Sequence, residues 1–308
     1  MAVISTGLAR KGIRSEFLNR FDAAQRATVY QDWTTRITSD AEGENYRWLG
    51  TVPEMREWGD GRQAKGLRSE SYNVFNKKYE ATIEVDRDEL SDDQTGQIRV
   101  RIGELAVRAA THKDKLLSTL LENGGTSGNN SYDAVTFFND AHISGASGSQ
   151  DNDRTQNITD PTTPTTAEAK ASIAEAVSAM MGFKDDQGTP MMLNTASLVC
   201  VVPPLMQFAF REALNAAVIA QTSNVAMQGL AGVVTFPWLT STDKWYLLKT
   251  DGVVRPFVFQ DREPIEFTAL DTPDSEEQFK REKYLYGCRA RYALAYGYWQ
   301  YAIRTTFT

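Results

Sequence analysis

Between Thr95 and Glu122 apolar residues recur every three or four positions, at Ile98, Ile102, Leu105, Ala109, Leu116 and Leu120. Arg99, Arg101, Glu104, Arg108, Lys113 and Asp114 occupy the other faces, the pattern of an amphipathic helix. Acidic residues from Asp86 to Asp93 suit its start, and Asn123-Gly124-Gly125 suits its end. At about 1.5 Å per residue such a helix is roughly 40 Å long. A rod of that length spans a whole domain, so the rest of the fold must be arranged along it.

Around the helix the chain reads as mixed α and β. Residues 1–40 carry Arg10, Lys11, Arg14 and Arg20, with Phe17, Leu18 and Phe21 at helical spacing. This is either an arm with a short amphipathic helix or an ordinary N-terminal helix. Tyr46–Gly50 reads as a strand, followed by a polar stretch containing Gly59, Gly61 and Gly66. Ser71–Asp86 alternates, with Tyr79, Ala81, Ile83 and Val85 opposite Glu80, Thr82, Glu84 and Asp86; the phase breaks at Asn76-Lys77-Lys78, which predicts a bulge or bend. A strand pair this long with a polar far end reads as a projecting hairpin.

Residues 123–166 are dominated by Gly, Ser, Asn, Asp, Thr and Pro, with one apolar island at 134–138, and read as a long surface loop. Thr166 is placed to cap a helix over about 167–182 with Ala169, Ile173, Val177 and Met180 inward. Leu198–Val202 reads as a buried strand. Pro203-Pro204 then opens a helix expected to bury Leu205, Phe208, Ala209 and Leu214. Further strands are expected at 233–236, 245–248, 256–260 and 265–270. The aromatic stretch Tyr284–Thr306 reads as a strand pair turning near Gly287 or Gly297.

Chemistry is harder to find. The two cysteines, Cys200 and Cys288, lie far apart and give neither a disulfide framework nor zinc spacing. His112 falls in the long helix; His142, near Asp140, reads as a loop or interface histidine before a base or ligand. No HExxH, GxSxG or phosphate-loop motif is present. The carboxylates from Asp86 to Asp93 lack calcium-loop spacing and are explained by a helix start. A net charge of −7 argues against a dedicated nucleic-acid reader, though not against a wall that confines DNA. Met1–Arg10 lacks the apolar core of a signal peptide, and no run reaches 18 apolar residues.

Several stretches, in order, resemble one family. They are Trp48-Leu49-Gly50, Glu57-Trp58, Asn76–Thr82, Asp86–Glu89 with Asp92-Asp93, Phe137–His142, Arg255–Gln260, and Tyr286-Gly287 through Ala295–Gln300. Together they resemble the major head subunit of Mu-like tailed phages, within the Hong Kong 97 (HK-97) capsid lineage. The resemblance implies an α+β fold with an N-terminal arm (1–43), an extended β-hairpin loop (44–86), a peripheral domain (87–166 and 251–308, spine helix about 95–122) and an axial domain (167–250). It implies a non-enzymatic major capsid protein with no cofactor and no membrane partner, found in the virion and assembled in the bacterial host cytoplasm.

The implied partners are copies of itself in hexamers and pentamers, a separate scaffold protein, a portal, a decoration protein, and packaged double-stranded DNA held weakly. Arg10, Lys11, Arg14 and Arg20 are candidates for interior or scaffold contact, and Trp58 and Lys65 for contact between a hairpin and its neighbour. A cross-link from the lysines near the hairpin is not assigned. An encapsulin-like shell, a tail-tube protein and a carbohydrate-active enzyme are the competing readings.

Overall fold

The computed structural model describes residues 6–46, 72–92, 96–191, 194–272 and 275–308. α1 (Thr6–Gln25) and a single turn, α2 (Tyr30–Trp33), lead into β1 (Thr34–Thr38) and β2 (Gly43–Asn45). β3 (Asn73–Phe75), β4 (Lys77–Asp86), the short α3 (Arg87–Asp92) and the long α4 (Gln97–Asn123) follow. Next come β5 (His142–Ile143), β6 (Ser149–Gln150), β7 (Asp153–Gln156), α5 (Thr166–Gly182), β8 (Leu198–Val202) and α6 (Gln207–Asn215). β9 (Val218–Ile219), β10 (Thr222–Ser223), β11 (Gly232–Thr235), β12 (Lys244–Lys249), β13 (Phe257–Leu270), α7 (Glu276–Arg281), β14 (Lys283–Tyr296) and β15 (Ala302–Phe307) complete the order.

One sheet has the order β1-β13-β14-β4, with β1 parallel to β13 and the other pairs antiparallel. α1 and α4 cover one face of it. Ile13 and Phe17 of α1, Ile98, Ile102, Leu105 and Ala106 of α4, and Val85, Tyr284, Tyr286 and Cys288 of the sheet share one apolar core. Strand alternation sends Glu80, Glu84, Arg289 and Arg291 to the opposite face. There Lys283 pairs with Glu84, and Arg289 and Arg291 both pair with Glu263. The second sheet has the order β11-β8-β12-β15-β7 and packs against α5 and α6. Trp245 lies beneath those helices: its indole Nε1 donates to Ser172 Oγ at 3.0 Å and its ring meets Phe210 edge-on.

The structure departs from the sequence reading in instructive places. The N-terminal segment is not left without partners. Ile13, Phe17, Tyr30 and Trp33 are buried in the chain's own core, and β1 pairs along its length with β13. The phase break at Asn76 is a change of partner: β3 pairs with β2, whereas β4 joins the large sheet. Asn76 holds that corner by donating to Ser39 Oγ and the Ala41 carbonyl, both at 2.9 Å. The strand expected at Tyr46–Gly50 is not seen at Tyr46, where β2 (Gly43–Asn45) has already ended; residues 47–50 lie outside the described residues.

The stretch 123–166 is a surface loop only in part. Phe137, Phe138, His142 and Asn152 are buried, and β7 runs parallel to β15 at the edge of the five-stranded sheet. The aromatic C-terminal stretch is not a strand pair either. β14 belongs to one sheet and β15 to the other, and a 3-10 turn at Trp299–Tyr301 carries the chain between them. The helix after Pro203-Pro204 turns a different face inward: Met206, Phe210, Ala213 and Leu214 are buried, whereas Leu205 and Phe208 are exposed, Phe208 at 74%. The cap of α5 is Thr165, one residue before the expected position; it forms a capping box with Glu168. Gly124 has φ −60°, so left-handed backbone is not its reason. A Cβ there would lie 2.6 Å from the Phe138 ring, and a Cβ at Gly125 would collide with the Arg304 guanidinium.

Candidate functional site

Besides the apolar packing of α1, two residues that periodicity had assigned to outer faces tie the N-terminal segment to the long helix at α2. Asp114 is buried and accepts from the backbone N–H groups of Val29 at 3.2 Å and Tyr30 at 3.0 Å, the entrance to α2. Burial raises its carboxyl pKa, and these two hydrogen bonds oppose the rise. Lys113 donates to Tyr30 Oη at 3.2 Å and sits 4.8, 4.6 and 5.4 Å from the ring centres of Tyr30, Phe259 and Tyr292. An ammonium over several ring faces is stabilised by their quadrupoles. His112, one residue earlier, lies 2.6 Å from Tyr292 Oη. Burial, then Lys115 and Lys113, lower its pKa, favouring a neutral ring that accepts from the tyrosine.

Of the sequence candidates, Arg10 and Lys11 lie within α1, their side chains outside the described set. Arg14 is exposed on the same helix. Arg20 pairs with Glu16 at 2.8 Å, and its aliphatic stem crosses Gly103 of α4. Trp58 and Lys65 lie outside the described residues. The structure therefore brings Arg14 and Arg20 onto the helix layer formed by α1 and α4. Beside that layer are two open depressions of about 340 Å³ each. One is lined by Asp22, Gln25, Arg26, Thr28, Gln31 and Asp32; the other includes Arg36, Lys113, Asp261 and Ile265. Neither lining contains a cysteine, serine or histidine.

His142 has a chemical setting that the sequence did not predict. Its partner is Asp133, not Asp140: Nδ1 lies 2.6 Å from Asp133 Oδ2, and the ring stacks on Trp299 at 4.0 Å. Asn152 Nδ2 donates to the carbonyls of Phe137, Trp299 and Ala302, which fixes its amide orientation. Asn152 Oδ1 therefore faces the Asn139 N–H and His142 Nε2, so Nε2 carries a hydrogen. With His142 fully buried, this cluster ties residues 131–152 to the crossing between the two sheets.

The carboxylates at 86–89 behave as a helix start, with Asp86 Oδ1 accepting from the Asp88 N–H at 2.9 Å. No cluster of three metal-ligating side chains occurs among the described residues. Exposed apolar side chains are scattered over the surface, including Phe75, Leu205, Phe208, Val253 and Phe279, with Val253 97% and Phe279 90% accessible.

Family comparison decides between these geometries. The model of the Mu-like prophage major head subunit gpT matches residues 7–168, 163–239 and 240–307. The chain belongs to that family. Among individual relatives, the major capsid protein of Escherichia phage Mu is 24% identical over 267 residues, covering 87% of this chain and 63% of the relative. The chain thus spans less than two thirds of that protein's length. In structure, it resembles a subunit of the procapsid of bacteriophage JBD30, with TM-score 0.56, 23% identity, and coverage of 97% of this chain and 75% of that one. A JBD30 capsid decorated with minor capsid protein trimers gives TM-score 0.50 and 14% identity, covering 90% and 63% of the two chains. The α+β fold is that of HK-97-like phage capsid subunits.

Proposed function

We propose that this chain is the major capsid protein of a tailed bacteriophage, a structural subunit without catalytic activity. Its copies form the hexamers and pentamers of an icosahedral head around double-stranded DNA. The family match running from residue 7 to residue 307 carries this reading. Assembly physics fits it. Each exposed apolar group contributes a modest contact, and closure of a symmetric lattice makes many such contacts act together.

The domain division is also part of the proposal. The peripheral unit comprises α1, α4 and the four-stranded sheet. The axial unit is built on the five-stranded sheet with α5 and α6. Sheet membership brings β7 and β15 into the axial unit, across the boundaries first drawn at 166/167 and 250/251. The hairpin first drawn over 44–86 gives up β4 (Lys77–Asp86) to the four-stranded sheet; the proposed hairpin has its base at the β2–β3 pair. A scaffold protein, a portal and a decoration protein are proposed partners; a JBD30 capsid bearing minor capsid protein trimers supports the last. The proposed location is the virion head, after assembly in the host cytoplasm.

Negative-stain microscopy of the purified protein tests the reading. Closed spherical particles are expected. Rings or helical tubes would instead indicate a tail component, and particles filled with protein cargo an encapsulin-like shell.

A further inference from the structure

Two lysines are buried among the described residues, and their surroundings differ. Lys249 Nζ has Asp251 Oδ1 at 2.7 Å, Asn194 Oδ1 at 3.0 Å and the Ala196 carbonyl at 2.9 Å. An ammonium has three hydrogens to give, and there each has an acceptor. Lys113 Nζ gives one, to Tyr30 Oη at 3.2 Å, and has no carboxylate partner among the described residues. The rings of Tyr30, Phe259 and Tyr292 attract its charge but accept no ordinary hydrogen bond. A buried charge is ordinarily paired.

The shortage of acceptors extends around Tyr30. Gln25 Nε2 at 3.2 Å and Gln31 Nε2 at 3.5 Å also donate to Tyr30 Oη, so three donors meet an oxygen with two lone pairs. The Tyr30 hydroxyl hydrogen has no acceptor among the described residues. Turning one glutamine amide over would satisfy that hydrogen, yet the ammonium would still lack an anion. All four residues line the second of the two depressions, of about 340 Å³. Phe21, Phe259, Pro264 and Ile265 give it apolar walls, and the Arg36–Asp261 ion pair belongs to the same lining.

We propose that this depression binds a monocarboxylate with an apolar body, its carboxylate taking hydrogens from Lys113, Tyr30 and the two glutamines. Small-molecule sites begin at about 300 Å³, so the space exceeds what a bare inorganic anion fills. The apolar walls call for a hydrocarbon group beside the charge. Electrostatics sets the number of carboxylates at one. Asp261 holds Arg36 through Nε at 3.1 Å and Nη2 at 2.5 Å, so Lys113 is the one cation of the described lining without a carboxylate. A dianion would set its second charge against Asp261. Such a site lies outside the head-subunit reading and does not depend on it.

Isothermal titration calorimetry of the unassembled full chain with sodium benzoate tests this, with benzamide as the neutral analogue of similar shape and ionic strength held constant. Each chain should bind one benzoate and no benzamide. Lys113→Met keeps a stem over the rings and removes the charge; it should weaken benzoate binding by at least about tenfold. Gln31→Ala, at an exposed position, removes one amide and should weaken it about three- to tenfold. Arg14→Gln removes an exposed cation of α1 outside the lining and should leave binding unchanged.

Equal affinity for benzoate and benzamide would overturn the proposal. So would benzoate binding that survives Lys113→Met, or that falls as far in Arg14→Gln, or that is absent from the wild type up to about 50 mM. If Lys113→Met does not fold, Gln31→Ala and the benzamide comparison decide in its place. Closed shells then identify the source of the carboxylate. Shells that take up benzoate as the free subunit does indicate a free acid, and shells that exclude it indicate a carboxylate supplied by a neighbouring chain.

Discussion

Asp114→Ala should release the N-terminal segment from the long helix without unfolding the rest of the chain. The carboxylate accepts two backbone N–H groups, one of them the buried Tyr30 N–H, at the only turn of α2. Hydrogen bonds to a charged group contribute about 1.5–3 kcal/mol each. Relief of the carboxylate's own burial, which raises its pKa, offsets part of the loss. The net destabilisation of this contact is therefore about 3 kcal/mol. By the tenfold change per about 1.4 kcal/mol, the amides of residues 29–38 should exchange roughly 100-fold faster. Native-state hydrogen exchange read by mass spectrometry measures this directly. Amides in β8 and β12, which lie in the other sheet, act as the internal control. If residues 29–38 keep their protection in Asp114→Ala, the clamp is not what holds the segment, and the energetic argument fails.

Other outcomes follow from the same geometry. Hydrogen exchange on free subunits and on shells should give equal protection over residues 13–38, because those contacts are intramolecular; protection gained only in shells would contradict the docked arm. His142→Ala leaves Asp133 buried without its partner and removes the stack on Trp299, so chemical denaturation should show a loss of about 3–5 kcal/mol. Gly124→Ala forces the Phe138 ring aside and should cost about 1–3 kcal/mol by the same measurement. Hydrogen bonds from Thr159 and Thr165 hold the Glu168 carboxylate down at about 2, against an ordinary 4.5. A depressed acid stabilises the fold above its unfolded value, so this contribution is complete above about pH 4.5 and lost as pH falls towards about 2. Thermal unfolding of Glu168→Ala should show a weaker acid dependence in that window, and an unchanged profile would refute the role of the cap.

The sequence by itself determined the elements whose signal is local. The 27-residue helix, the burial of Ala169, Ile173, Val177 and Met180, and the strand Leu198–Val202 were all legible, because helix and strand periodicities depend on near neighbours. The ordered resemblance to a head-subunit family was legible for a different reason: it sums weak matches over most of the chain.

Only the tertiary structure decided which elements share a sheet. Tyr284–Thr306 alternates smoothly as a string, yet the turn at Trp299–Tyr301 sends its halves to different sheets. Residues 123–166 lack apolar periodicity because they are anchored by two phenylalanines and a buried polar network, whose partners are remote in sequence. Lys113 and Asp114 looked like solvent-facing charges because charged side chains usually are. Their burial depends on Tyr30, Phe259 and Tyr292 arriving from three other elements, and a pattern read within one helix cannot register such partners.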